Sequence, residues 1–285
     1  MATDKPRKYE KLVEMWFQAF FYSFVITLIF TLLGIQEGWG TFDIIQCILP
    51  VTFGKFWYFT AFFGLFFAAP ILNRFIFTID EDTAKRALLL FIALFSMMGI
   101  LGDPFEANGG YSTIWLIALY CIGALAKKIR LFESRKTVTL ILLWAVCLFV
   151  TWAVYVFFDF VRIVNYVSPT VLLSGMIMVV LFSRLPVKGT VVTKLSPLVF
   201  GVYLLQLNQV VWNNILGNAC ASAASENIAV GVLHVVAFAS AIFVSGLAIE
   251  FARSRAAKLL RIPLLSKKIV LLADKLLVKA SAFLK

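Results

Sequence analysis

The chain has 285 residues, 62% of them hydrophobic and only 14% charged, with a mean hydropathy of +0.94 and a formal charge of +11. Soluble domains run at ~45–50% apolar and ~25% charged, and no soluble fold of this length has the interior to hide so much apolar surface. The composition therefore excludes a soluble enzyme, and the cations flank apolar runs, which argues against nucleic acid as their partner.

In hydrocarbon every backbone polar group must be satisfied internally, so spans are helices or closed barrels. The apolar runs are continuous over ~20 residues and do not alternate, which selects helices. The predicted fold is an all-α polytopic membrane bundle of about eight spans. They cover roughly 14–34, 56–76, 87–102, 111–127, 137–157, 165–183, 197–216 and 228–251, the third being the shortest. The first run has bulky Phe and Leu and no small-residue cleavage site, so it reads as a span and not a leader. Residues 41–54 are too short to cross and read as an interfacial or re-entrant piece between Trp39 and Trp57. Cys47, Cys121, Cys147 and Cys220 form no CxxC pair, so neither a disulfide framework nor a zinc site is expected.

The Lys and Arg residues set the orientation. In the eight-span arrangement 24 cations fall on one side and only Lys55 and Arg162 on the other. The crowded side receives Lys5, Arg7, Arg74, Lys127–Lys136, Arg184, Lys188 and the run from Arg253 to Lys285. The expectation is a multi-pass protein of the bacterial cytoplasmic membrane with both termini cytoplasmic. Residues 1–252 form a transmembrane domain. Residues 253–285 alternate apolar and basic side chains and read as an amphipathic helix on the anionic leaflet, making the lipid bilayer a partner.

Ionisable and polar groups inside spans are costly and therefore informative. His234, the only histidine, lies in the last span and is a candidate catalytic base or a group bonded to a neighbouring helix. The seventh span carries Tyr203, Gln206, Asn208, Gln209, Asn213 and Asn214. Gln206, Gln209 and Asn213 are three and four residues apart and are expected to share one face, against a helix or a watery cavity. Among the loop carboxylates, Glu37, Asp43, Asp103, Glu106, Asp159 and Glu226 read as solvated, with Asp103 and Glu106 able to face a cavity. Asn73 and Arg74 follow Pro70, where Arg could meet a phosphate or snorkel to headgroups. No Walker loop, GxSxG, HExxH or Rossmann fingerprint occurs.

Several stretches together resemble the membrane acyltransferase-3 proteins. FGKFWYFTAFFGLFFAAPILNRFI (53–76) is similar to their "YWF-x-x-x-Y…P-x-LN" pattern. GYSTIWLIALYCIGALAKKIRL (110–131) is similar to "GYS-x-x-WF-x-x-LY-x-IGAY-x-R". LSPLVFGVYLLQLNQVVW (195–212) is similar to "FGVYL-x-H-x-N", and KYEKLVEMWFQAFFYSFV (8–25) to the stretch after their first helices. The resemblance implies an O-acyltransferase that takes an acyl group, commonly acetyl from acetyl-CoA, to a hydroxyl of a surface polysaccharide or glycolipid. It also implies no bound cofactor. The helix that carries the family's essential histidine is expected to be absent, the chain starting where a third span would, and Gln206 stands where many relatives have His. The resemblance implies Trp57, Tyr58, Tyr203, Gln206 and Asn208 on the glycan side, and Asn73, Arg74 and Arg130 toward the CoA phosphates. Two alternatives stay open: a non-catalytic relative acting as a partner subunit, and a transporter or flippase of lipid-linked sugars.

Overall fold

The structure is a computed structural model that describes residues 8–35, 40–186 and 189–283. Lys5, Arg7, Glu37, Trp39, Lys188 and Lys285 therefore lie outside the described residues. In chain order the helices are α1 (Tyr9–Leu32), α2 (Thr41–Ile48), α3 (Trp57–Thr78), α4 (Glu81–Leu101), α5 (Thr113–Lys128), α6 (Thr137–Phe158), α7 (Pro169–Ser183), α8 (Thr190–Gln206), α9 (Gln209–Ala224), α10 (Ile228–Leu259) and α11 (Ile262–Phe283). No strand occurs among the described residues.

Seven of the eight apolar segments each correspond to a single helix and the seventh in order, 197–216, is split between α8 and α9; they are not equal in length. Six helical stretches are long and apolar enough to cross a membrane, and α8 with α9 makes a seventh if that pair, bent by 64°, counts as one span. Helix α5 has 16 residues, about 24 Å at ~1.5 Å per residue, short of a ~30 Å hydrocarbon core. The third segment, shortest in the sequence reading, is a 21-residue helix because the polar turn at Glu81–Arg86 belongs to it. Asp80 starts it, its carboxylate accepting from the Asp82 and Thr83 N–H groups. The last span runs past residue 252 to Leu259. The chain then breaks at Arg261, whose φ is +54°, and α11 follows.

The chain divides into two compact units. In the unit of residues 57–187, α5 is central: Trp115, Ala118, Ile122 and Leu125 are buried between α3 and α4. Lipid supplies no hydrophobic drive between helices, so close packing and interhelical hydrogen bonds must hold them. Gly64 permits the approach of α3 to α5, since a Cβ there would stand 2.6 Å from Thr113 Cγ2. Tyr120 donates to Asn73 Oδ1 at 2.5 Å, and the buried Ser96 donates to Val167 O at 2.5 Å. Pro70 sits inside α3 and withholds one ladder donor, yet the helix continues to Thr78. Lys128 donates to Ile76 O at 2.7 Å, closing the end of α3 with a cation. Arg184 donates to the Phe132 and Glu133 carbonyls. The basic loops of this unit thus gather at one end. Trp57, Tyr111 and Tyr166 pack together at the other, with ring centroids 4.8–6.0 Å apart.

In the unit of residues 6–56 and 188–285, α1 lies along α11, and α8 and α9 lie against α10. Small residues set these approaches. A Cβ at Gly246 would meet Val202 Cα at 3.2 Å, and one at Gly231 would meet Ala223 O at 2.7 Å. Helix α1 carries a π turn at Phe21–Val25, and α9 another at Trp212–Leu216.

Candidate functional site

The α8–α9 break is built around Asn208. Its Oδ1 accepts from the Val210 and Val211 N–H groups, at 2.9 and 3.2 Å, capping α9. Its Nδ2 donates to Tyr22 O at 2.7 Å and to Thr27 Oγ1 at 3.2 Å. The π turn explains why Tyr22 O is available: the Ile26 N–H reaches back five residues to Phe21 O, diverting the usual donor. Asn208 is 4% exposed and uses both ends of its carboxamide.

A cavity of about 220 Å³ opens beside this break. Its wall combines the hydroxyls of Ser23 and Thr27, the carboxamides of Asn208, Gln209 and Asn213, the Cys47 thiol, and the charged groups of Asp43 and Lys55. Gln209 Nε2 donates to Asn213 Oδ1 at 2.9 Å, one turn along α9. Asp43 lies in the first turn of α2, where its Oδ2 accepts from the Gly40 N–H at 3.1 Å. Lys55 follows a tight turn: Gly54 has φ +63°, the Lys55 N–H donates to Pro50 O at 2.9 Å, and Phe56 is buried. The residues 41–54 thus form a short helix and a turn that wall this cavity.

A charged network lies in the same unit. Glu250, 2% exposed, accepts from Tyr22 Oη at 3.1 Å. It also accepts from Arg253 Nε at 2.8 Å and Nη2 at 2.7 Å, a bidentate pair one turn along α10. Gly201 makes the approach of α8 possible, because a Cβ there would stand 2.5 Å from Glu250 Oε2. Pairing compensates a charge that burial would otherwise make very costly.

The predicted site residues fall into separate places. Asn208 lines the cavity with Gln209 and Asn213. Gln206 does not share their face: the shared-face reading assumed a continuous helix, and the break at Leu207–Asn208 turns α9 away, leaving Gln206 exposed on α8. Tyr203 is half-buried and stacks on Phe200 at 5.8 Å. His234 is half-exposed, with Nδ1 3.2 Å from Glu226 Oε1, and neither residue lines the cavity. On α3, Trp57 joins the Tyr111–Tyr166 cluster and Tyr58 packs edge-on to Trp57. Asn73 and Arg74 lie about 24 Å further along that helix, at ~1.5 Å per residue, so α3 carries two sites and not one. Arg74 and Arg130 are exposed at the basic end of their unit. The sequence reading passes over Tyr22, Glu250 and Arg253, although a carboxylate inside an apolar run with Arg three residues on was a usable signal.

No metal-binding cluster of His, Cys, Asp and Glu exists among the described residues. Apolar helices of crossing length, a polar cavity at a broken helix and a buried ion pair define a multi-pass helical membrane protein with a built polar site. Its sequence matches the acyltransferase-3 family model, described as an acyltransferase domain, over residues 9–255. The chain belongs to that family, and its class is that of a membrane acyltransferase. No curated protein and no solved structure matches it.

Proposed function

We propose that the chain transfers an acetyl or other acyl group from acyl-CoA to a hydroxyl of a cell-surface polysaccharide or glycolipid, in the bacterial cytoplasmic membrane with both termini cytoplasmic. The observation that carries this reading is the polar cavity at the α8–α9 break, whose hydroxyl, carboxamide and charged lining suits a polyhydroxylated acceptor. Arg74 and Arg130 support a donor site at the basic end, where exposed guanidinium groups suit the CoA phosphates. In the reaction the acceptor oxygen attacks the thioester carbonyl. The C–O bond forms, the C–S bond breaks, and the acceptor proton ends on the departing thiolate. The amphipathic α11 rests on anionic lipid in this reading, its Lys267, Lys268, Lys275 and Lys279 set among exposed leucines.

Membranes containing the chain, supplied with labelled acetyl-CoA, are expected to yield labelled glycan or glycolipid. Replacing Arg74 and Arg130 by alanine raises KM for acetyl-CoA several-fold with a smaller change in kcat. Absence of any label with this chain, in an assay where a control acyltransferase is active, overturns the reading. One observation favours the non-catalytic alternative: His234 and Gln206, the catalytic candidates, do not line the cavity. Label that appears only when a second chain is present would support that alternative.

A further inference from the structure

We infer that the cavity at the α8–α9 break takes an acceptor sugar that carries an anionic group, a carboxylate or a phosphate, and that Lys55 recognises it. The inference rests on the acyl-acceptor reading of this cavity and names the substrate class more narrowly.

Lys55 is anomalous in two ways. In the eight-span reading of the sequence it is one of only two cations on the sparsely charged side, so the rule that gathers Lys and Arg at one leaflet does not account for it there. The other, Arg162, is occupied: its Nη1 donates to Leu101 O at 2.8 Å. The Lys55 ammonium has no hydrogen bond or ion pair among the described residues, yet Lys55 lines the cavity.

The neighbouring carboxylate does not neutralise it. Asp43 lines the same cavity, but no ion pair of 4.0 Å or less joins the two among the described residues. Asp43 is accounted for by the start of α2, where it accepts the Gly40 N–H and complements the helix dipole. Lys55 has no such local use, and its backbone is fixed by the Pro50–Lys55 turn and the buried Phe56.

The rest of the wall fits a sugar ring. Gln209 and Asn213 are bonded to each other and retain further donor and acceptor capacity, while the Thr27 hydroxyl, which donates to Ser23 O and accepts from Asn208 Nδ2, retains acceptor capacity only. At about 220 Å³ the cavity is smaller than the ~300–1,000 Å³ of sites that enclose a drug-sized ligand. It suits a single hexose-sized moiety. A lysine offers such a ligand a compact point charge, which serves carboxylate and phosphate alike.

The test measures binding to the full chain in detergent micelles, by saturation-transfer NMR with competition. Three probes are compared: methyl glucuronide, glucose 1-phosphate and methyl glucoside. The expected result is tenfold or greater preference for at least one anionic probe over the glucoside, weakened by salt. The stronger of the two identifies the group as carboxylate or phosphate. Lys55→Met abolishes the preference, Lys55→Arg keeps it, and Asp43→Asn leaves it intact or enlarges it. Equal binding of all three probes, or a preference that survives in Lys55→Met, overturns the inference. Size-exclusion and circular dichroism profiles establish that each variant is folded, with Lys55→Gln as a second neutral variant. Because binding is read without acyl transfer, a negative result here is distinct from absence of label in the acetyl-CoA assay.

Discussion

Replacing Gly201 by alanine probes the packing that holds the Tyr22–Glu250–Arg253 network. The added Cβ would stand 2.5 Å from Glu250 Oε2 and 2.7 Å from both Glu250 Cβ and Cγ. A carboxylate tip can swing aside, but Cβ is fixed to the α10 backbone. Reaching an ordinary carbon contact of ~3.5–4.0 Å requires α8 and α10 to part by about 1 Å. Such a shift carries Glu250 away from its 3.1 Å bond to Tyr22. Overpacking costs ~1–3 kcal/mol and loss of a hydrogen bond to a charged group ~1.5–3 kcal/mol. Alanine's better helix propensity returns ~1 kcal/mol. The expected net destabilisation is about 1.5–5 kcal/mol by that reckoning. Gly175→Ala in α7 is the matched control, since a Cβ there meets nothing within 4 Å. It is expected to be neutral or to stabilise by up to ~1 kcal/mol. Unfolding in mixed micelles of increasing SDS fraction, followed by tryptophan fluorescence, measures both. If the two variants agree within ~0.5 kcal/mol, the reasoning about the α8–α10 contact is refuted.

Two further outcomes follow from the same structure. Asn208→Ala strands the Val210 and Val211 N–H groups and Tyr22 O and should destabilise by at least ~2 kcal/mol. Asn208→Asp keeps the cap but turns an acceptor toward Tyr22 O, so it should recover only part of that loss, and equal stability of alanine and aspartate variants would show that the cap is not what matters. The Asp80 carboxyl is held below its usual range, chiefly by the Thr83 side-chain hydrogen bond and then by the Thr83 N–H. A carboxylate with a lowered folded pKa contributes above its unfolded value and loses that contribution as pH falls through the folded one. The first turn of α4 should therefore fray only under acid conditions, seen as lost protection of the Asp82 and Thr83 amides relative to their intrinsic exchange rate at each pH, and Asp80→Ala should show that loss already at neutral pH.

Hydropathy made the helical, membrane-spanning class and the approximate positions of the greasy segments legible, because hydrocarbon thickness sets a length that composition alone can meet. It also let the polar seventh span and the short 41–54 piece be singled out, and both contribute to the cavity, the first through Asn208, Gln209 and Asn213 and the second through Asp43 and Cys47. It erred where a periodicity argument needed an unbroken helix. Gln206 and Gln209 share a face only if the chain does not turn at Asn208, and Asn208 is a helix cap whose partners, Tyr22 and Thr27, lie some 180 residues away in sequence. The ends were misplaced for a related reason: Glu81–Arg86 is polar enough to look like a loop yet opens its helix, and Arg253–Leu259, read as the start of the amphipathic helix, continues the last span beyond its apolar run.

What hydropathy could not convey is where the backbone ladder fails. Irregular backbone at membrane depth persists only where protein buries it or a watery cavity receives it. In the unit of residues 6–56 and 188–285, three such irregularities meet one cavity. The π turn of α1 contributes Ser23, the π turn of α9 contributes Asn213, and the α8–α9 break contributes Asn208. Each frees or diverts backbone groups that an apolar environment would penalise, and at the first of them Asn208 supplies the missing donor. In the other unit the π turn of α4 is closed off by packing, with Ser96 buried and bonded to Val167 O. The contrast supports the proposed acceptor site: the bulge of α4 is sealed by its neighbours, whereas the bulges of α1 and α9 converge on a polar cavity lined by Lys55, with the room and donors that the proposed ligand would use.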